Sequence, residues 1–217
     1  MNNMQIIDIH THSESGNEDH IEIVSHFHRS PIPDTPWFSM GIHPWHAEKT
    51  DINSLMDELY PKAYKAFAIG ECGLDRASSV AWDTQIAVFK AQIDLSERMR
   101  KPLIIHAVKA YPDIIAMHKI KRPKQAWIIH GYQGNQQIME QCTDHGIYLS
   151  YGDKLMHGIE ALETTLKANP SGLLFLETDE SNIDIEKIYE QAARIRQISP
   201  GDLAEQIQKN FKSIQNR

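Results

Sequence analysis

Cysteine is scarce: the 217 residues contain two, Cys72 and Cys142. Two cysteines cannot build a disulfide framework, so a reduced, cytoplasmic setting is expected. Positive charge is short as well. The chain has 22 basic and 29 acidic side chains, a formal charge of −7. That excludes a broad basic face for gripping nucleic acid. It leaves open a meeting with phosphate through bound cations, which would then be the largest local charges. No apolar run approaches the roughly 20 residues that span a bilayer. The opening MNNMQIIDIH lacks the charged and long apolar regions of a secretion signal. A glycine-rich phosphate loop after an early strand, which a doubly wound open sheet would want, is missing too. No repeat, linker or low-complexity tract interrupts the chain, so residues 1–217 are expected to form a single domain.

What is present is an alternation. Apolar, β-branched runs at 5–9, 21–27, 37–41, 66–70, 103–105, 126–129, 147–150 and 173–176 read as strands. Helical patterns at 50–60, 81–99, 113–119, 135–144, 154–168, 185–199 and 202–213 follow the third strand onward. Thr50 with the acidic residue after it reads as the cap of the first of these. About eight strands alternating with helices predict a parallel (β/α)8 TIM barrel.

Polar residues recur where these runs end. In IIDIHTHSE, Asp8, His10 and His12 follow at two-residue spacing, which sends all three to one face of a strand. His43 closes WFSMGIHP, and Glu71 and Asp75 close AFAIGECGLD. His106, His130 and the pair Glu177 and Asp179 close three further runs. In a parallel barrel those ends share one face, where such folds keep their chemistry. Any one of these groups alone reads as a hydrogen-bonded boundary residue; six runs ending alike point to a metal site. The remaining histidines His20, His26, His28, His118, His145 and His157 fall in loops or helical stretches and are expected to be solvated.

The segments DIHTH, GIHPW, GECGLD, IIHAVKA, IIHGY and ETD occur in the order found in the TatD-related metal-dependent hydrolases, which the chain resembles from Asp8 to Asp179. The resemblance implies an amidohydrolase-like TIM barrel with nuclease activity, often 3′→5′ on single strands. It also implies two divalent ions. His10, His12, Glu71 and Asp179 would hold the first, and His106, His130 and the shared Glu71 the second. Mixed histidine and carboxylate sites suit Zn²⁺ or Mn²⁺ at least as well as Mg²⁺, so the metal stays open. Two motifs depart from the larger relatives. HAVKA replaces a His-Ser-Arg sequence, leaving Lys109 as the nearest cation, and Glu180 and Ser181 follow ETD in place of Ser-Pro or Ala-Pro. The chain resembles a short bacterial branch of the family.

Phosphodiester hydrolysis by a two-metal-activated water is the expected reaction. Asp179 and Glu71 are the catalytic carboxylates, with Asp179 orienting or deprotonating the water. Lys109 would meet a phosphate oxygen as a point charge. Trp45 and His46 are placed to stack on a terminal base, with packing of its own loop the favoured reading for Trp45; His43 and Asp75 are placed to support ligands or touch substrate, and Tyr132 to face the substrate. Single-stranded DNA or RNA ends are the expected partner, with no membrane and no obligate protein partner. Two other readings stand beside this one: an ester or amide hydrolase such as a D-aminoacyl-tRNA deacylase, and a non-catalytic metal-binding module. Glu71 in place of a bridging lysine favours the nuclease, and six filled ligand positions disfavour the binding module.

Overall fold

The computed structural model describes residues 5–47 and 51–215. The apolar runs become eight strands: β1 (Ile6–Thr11), β2 (His20–Phe27), β3 (Phe38–Gly41), β4 (Ala68–Asp75), β5 (Leu103–Val108), β6 (Trp127–Ile129), β7 (Tyr148–Tyr151) and β8 (Leu174–Leu176). Each pairs in parallel with the next, in chain order. The ends meet beside β1 and β8. Here the His12 N–H donates to the Asp179 carbonyl at 3.1 Å and the Asp179 N–H donates to the His10 carbonyl at 3.0 Å. The expected (β/α)8 barrel is thereby formed.

Seven α-helices lie among the described residues: α1 (Ile52–Ala63), α2 (Trp82–Met99), α3 (Tyr111–Lys121), α4 (Gln136–Asp144), α5 (Glu160–Ala168), α6 (Ile185–Arg196) and α7 (Pro200–Gln215). No helix separates β1, β2 and β3; residues 12–19 and 28–37 return as irregular chain. No helix among the described residues is long and apolar enough to cross a membrane. The core is aliphatic and aromatic. Ile69, Ile105, Ile129, Leu149, Phe175 and Leu176 are completely buried. Each such side chain contributes about 1.5–3 kcal/mol relative to exposure.

Several boundaries differ from the sequence expectation, each for a local reason. The helix expected over 154–168 is two pieces, because Gly158 adopts φ 64° between a 3-10 turn at Asp153–His157 and α5. The helix expected to reach 199 stops where Gln197 turns left-handed at φ 58°. Thr50 lies outside the described residues; α1 is capped by Asp51, which accepts from the Asn53 N–H at 3.1 Å. Strands β4 and β5 run on to Asp75 and Val108, so Glu71 and His106 lie within strands rather than at their ends. Two glycines allow this continuation. Gly70 and Gly73 have φ of 148° and 141°, and a Cβ on Gly70 would sit 2.5 Å from the Ile104 carbonyl oxygen. Glycine alone tolerates both the angles and the close approach of β5. The pairing of β4 with β5 also slips between Ile69 and Cys72, around Glu71.

Asp8 corrects a second expectation. It does not join His10 and His12. Its buried carboxylate accepts from the Thr178 N–H at 3.1 Å and the Thr178 hydroxyl at 2.6 Å, and the Thr178 hydroxyl also meets that of Thr11 at 2.9 Å. The β1 register against β2 shifts between Asp8 and Thr11, and Asp8 parts there from the face that His10 and His12 share. Asp8 is thus a fastener of the β1–β8 seam. Burial pushes its carboxyl well above the usual range, against the pull of the Thr178 bonds.

Candidate metal centre

The strand ends deliver their polar side chains to one mouth, with Glu71 in the middle. Its two oxygens face different partners. Oε2 lies 3.6 Å from His10 Nε2 and 3.8 Å from His12 Nε2. Asp179 Oδ1 completes that side, 3.6 Å from His10 Nε2 and 3.5 Å from His12 Nε2. Oε1 instead meets His106 Nδ1 at 2.7 Å and His130 Nε2 at 2.8 Å, with His43 Nε2 at 3.3 Å. One buried carboxylate therefore touches two separate sets of donors.

The residues fit a pair of divalent ions. Two atoms bound to one ion at about 2.1 Å each sit about 3–3.5 Å apart, close to the separations around Oε2. His10 Nε2 is buried without a hydrogen-bond partner, and it points at the Glu71 and Asp179 carboxylates. Such orphans are rare in a native interior unless something else satisfies them. His10, His12 and Asp179 form one set of converging donor atoms, His10, Glu71 and His130 another, and His43, Glu71 and His106 a third. All six expected ligands are brought together.

The charges lean on one another. Burial opposes ionisation of Glu71, but His130 and the hydrogen bonds from His106, His130 and His43 outweigh it and hold the carboxyl well below the usual range. Asp179 is held low in the same way by His10 and His12, against burial. His130 is raised well above an ordinary imidazole, because Glu71 and Glu177 overcome its burial. His43 is lowered, chiefly by burial.

Around this core the other expected residues divide. His43 stands closer than expected, against Glu71, while its Nδ1 accepts from the Trp45 N–H at 3.2 Å. Asp75 lies behind His106, its Oδ2 3.5 Å from Nε2, and takes the Trp45 indole N–H at 2.5 Å. Lys109 is exposed, with φ 52°, and rims a cavity of about 360 Å³ shared with His106, His130 and Asp179. Tyr132 corrects the expectation of a substrate-facing hydroxyl. The residue is 1% exposed, and its hydroxyl donates to the Asn135 carbonyl at 2.7 Å. Of the histidines expected in solvent, His28 is buried and His20 is tied to Glu186 at 2.9 Å.

Two residues at the site, Gln85 and Gln92, were not singled out from the sequence, and a third, Glu177, was read only as a strand-end carboxylate. Glu177 Oε1 accepts from the Gly131 N–H at 2.6 Å and lies 3.5 Å from His130 Nδ1, the position from which a carboxylate orients a metal-binding imidazole. Its signal was its spacing, two residues before Asp179 on one strand end. The other two are on α2. Gln92 accepts from the Ile42 N–H at 2.8 Å and donates to the Ile42 carbonyl at 3.0 Å. Gln85 accepts from the Asp75 N–H at 2.9 Å and donates to the Asp75 carbonyl at 3.1 Å. Each amide pairs with a backbone as a neighbouring strand would, and so fixes the chain beside His43 and at Asp75. Seven residues apart, the two glutamines share one face of the helix; polar side chains on a buried stripe were the signal.

The comparisons agree with this geometry. The sequence profile of the TatD related DNase family matches residues 4–216. The "3'-5' ssDNA/RNA exonuclease TatD" of Edwardsiella piscicida is 28% identical over 205 residues, covering 84% of this chain and 78% of the relative. An "uncharacterized metal-dependent hydrolase YabD" of Bacillus subtilis (strain 168) is 30% identical over 118 residues, and the match spans 46% of that relative's length. The crystal structure of YJJV, a TatD homolog from Escherichia coli k12, superposes with a TM-score of 0.83 at 18% identity over 98% of both chains. A TatD family hydrolase from Entamoeba histolytica gives 0.74 at 16% identity over 97% of both chains. At those identities the structures speak for the barrel alone, whereas the profile covers nearly the whole sequence. The chain belongs to the TatD related DNase family of metal-dependent hydrolases.

Proposed function

We propose that the protein is a single-domain phosphodiesterase that removes nucleotides from single-stranded nucleic-acid ends, 3′→5′, using two divalent ions. The observation that carries this reading is Glu71, whose two oxygens face two separate groups of donors. His10, His12, Asp179 and Glu71 Oε2 would hold one ion, and His106, His130 and Glu71 Oε1 the other. Mg²⁺, Mn²⁺ or Zn²⁺ would supply the Lewis acidity that lowers the pKa of a water and offsets phosphate charge.

The chain's own groups do the rest. Asp179 is the ligand carboxylate that reaches solvent, with 39% of its side chain accessible, and it is held ionised. It is thereby placed to accept the proton of the attacking water. Lys109 presents its charge at the cavity rim, where a non-bridging phosphate oxygen would lie. Asp75 and Glu177 hold the far sides of His106 and His130. Trp45 contacts the substrate through its ring. Both cysteines are buried and free, in keeping with a cytoplasmic enzyme. The relatives' printed activity on single-stranded DNA and RNA supports the substrate class.

The test strips the protein of metal and offers labelled single-stranded DNA, RNA and a D-aminoacyl-tRNA, restoring one divalent ion at a time. Shortening of a single strand from its 3′ end is expected. Deacylation of the tRNA without strand shortening would replace the nuclease reading with an esterase.

A further inference from the structure

Among the described residues, the mouth of the barrel carries exposed aromatic rings on one side and Lys109 on its rim. Phe27, the last residue of β2, is 38% exposed, and Trp45 is 58% exposed. His46 beside them is exposed too. Large apolar rings grouped in solvent at the entrance of a polar site mark a binding surface.

These rings are braced. Phe27 meets His46 edge-on at 4.7 Å and His43 at 6.5 Å, and Trp45 meets His43 edge-on at 4.8 Å. The indole is also anchored through its N–H on Asp75. A ring already held in place loses little freedom when a flat ligand docks on it. The platform adjoins the ligand cluster: the Trp45 ring is 6.2 Å from the His106 ring, and the His43 ring 4.5 Å from it.

Charge narrows the ligand. The chain carries −7 overall. Lys62 spends its ammonium on the carbonyls of His28 and Ser30, next to Phe27, and Arg76 is held by both oxygens of Asp113. Among the described residues beside the platform, Lys62 and Arg76 are thus already paired, and Lys109 across the cavity is left to meet phosphate. A flat, uncharged, polarisable ring gains a ready surface.

We propose that Phe27, Trp45 and His46 form a nucleobase subsite, which grips an unpaired base of a single strand so that the adjoining phosphodiester reaches the Glu71 cluster. The subsite deepens the nuclease reading above and rests on it. It selects single strands because a base paired in a duplex offers no free face, and it accepts any base because each has one.

The test uses the full chain and two strands of equal length and charge: an oligothymidylate, and one whose every base is replaced by an abasic tetrahydrofuran. Dissociation constants are read by fluorescence anisotropy in EDTA, and hydrolysis is read separately with Mn²⁺. Wild-type protein should bind the base-bearing strand about 5- to 150-fold more tightly. Phe27→Ala and Trp45→Ala should each bring that ratio toward one, and Phe27→Tyr should restore it. Equal binding of the two strands by the wild type, or a ratio untouched in Phe27→Ala, would overturn the subsite. Failure to cut either strand, with the binding ratio intact, would overturn the nuclease reading and leave the base-binding platform standing.

Discussion

Asp75 Oδ2 accepts the Trp45 indole N–H at 2.5 Å and lies 3.5 Å from His106 Nε2. One carboxylate therefore serves an exposed ring and a half-buried imidazole of the candidate metal centre. Asp75→Asn keeps the size and removes the charge. Loss of such an orienting carboxylate typically costs 10- to 100-fold in metal affinity or activity. We expect that loss in a metal titration followed by kcat/KM at saturating ion. An unchanged affinity would confine Asp75 to holding the Trp45 turn.

Holding metal and moving protons separate at Asp179. Asp179→Asn keeps one oxygen donor and removes the proton acceptor, so most metal should stay bound. Its kcat should fall at least about 10²–10⁴-fold, the contribution of general acid–base catalysis. His106→Ala should instead lose metal and recover in part with added Mn²⁺ or Zn²⁺. Elemental analysis beside single-turnover rates checks both. Full recovery of Asp179→Asn with excess ion would reduce Asp179 to a ligand.

Lys109 meets a charge that substrate and transition state share. Lys109→Ala should therefore raise KM more than it lowers kcat. Steady-state kinetics on a single strand decide this, and unchanged values would make Lys109 a solvated rim residue.

His118 gives a pH signature away from the site. Burial on α3, with His145 nearby, pushes its pKa from 6.5 down to about 4, and its ring rests edge-on against Trp127 at 4.9 Å. The unfolded chain takes up the proton first as pH falls. Its stabilisation is thus complete above pH 6.5 and lost between 6.5 and 4. The slope for one proton is at most about 1.4 kcal/mol per pH unit, and solvent around this half-buried ring lowers it. His118→Gln should flatten the urea midpoint across that window; a slope equal to the wild type's would refute the assignment.

Legibility differed by residue. Apolar runs announced the eight strands, since a buried parallel strand is apolar on both faces. The runs around Glu71 and His106 looked finished too early, because polar residues and glycines normally end a strand. Here those side chains turn to one another inside the mouth, and the glycines admit the neighbouring backbone. The metal ligands were legible because each sits beside an apolar run. Gln85 and Gln92 were not, since their work is to hold other groups, and only the folded chain shows which ones. Tyr132 failed for the reverse reason: its hydroxyl had a local partner, Asn135, three residues on.

The seam between β1 and β8 has a bearing on when the enzyme comes alive. His10 and His12 leave the ribosome long before Asp179, which completes their group. Thr178 must reach Asp8 for the two strands to join. A nascent chain that has not yet reached Thr178 therefore carries an open seam and an incomplete donor group.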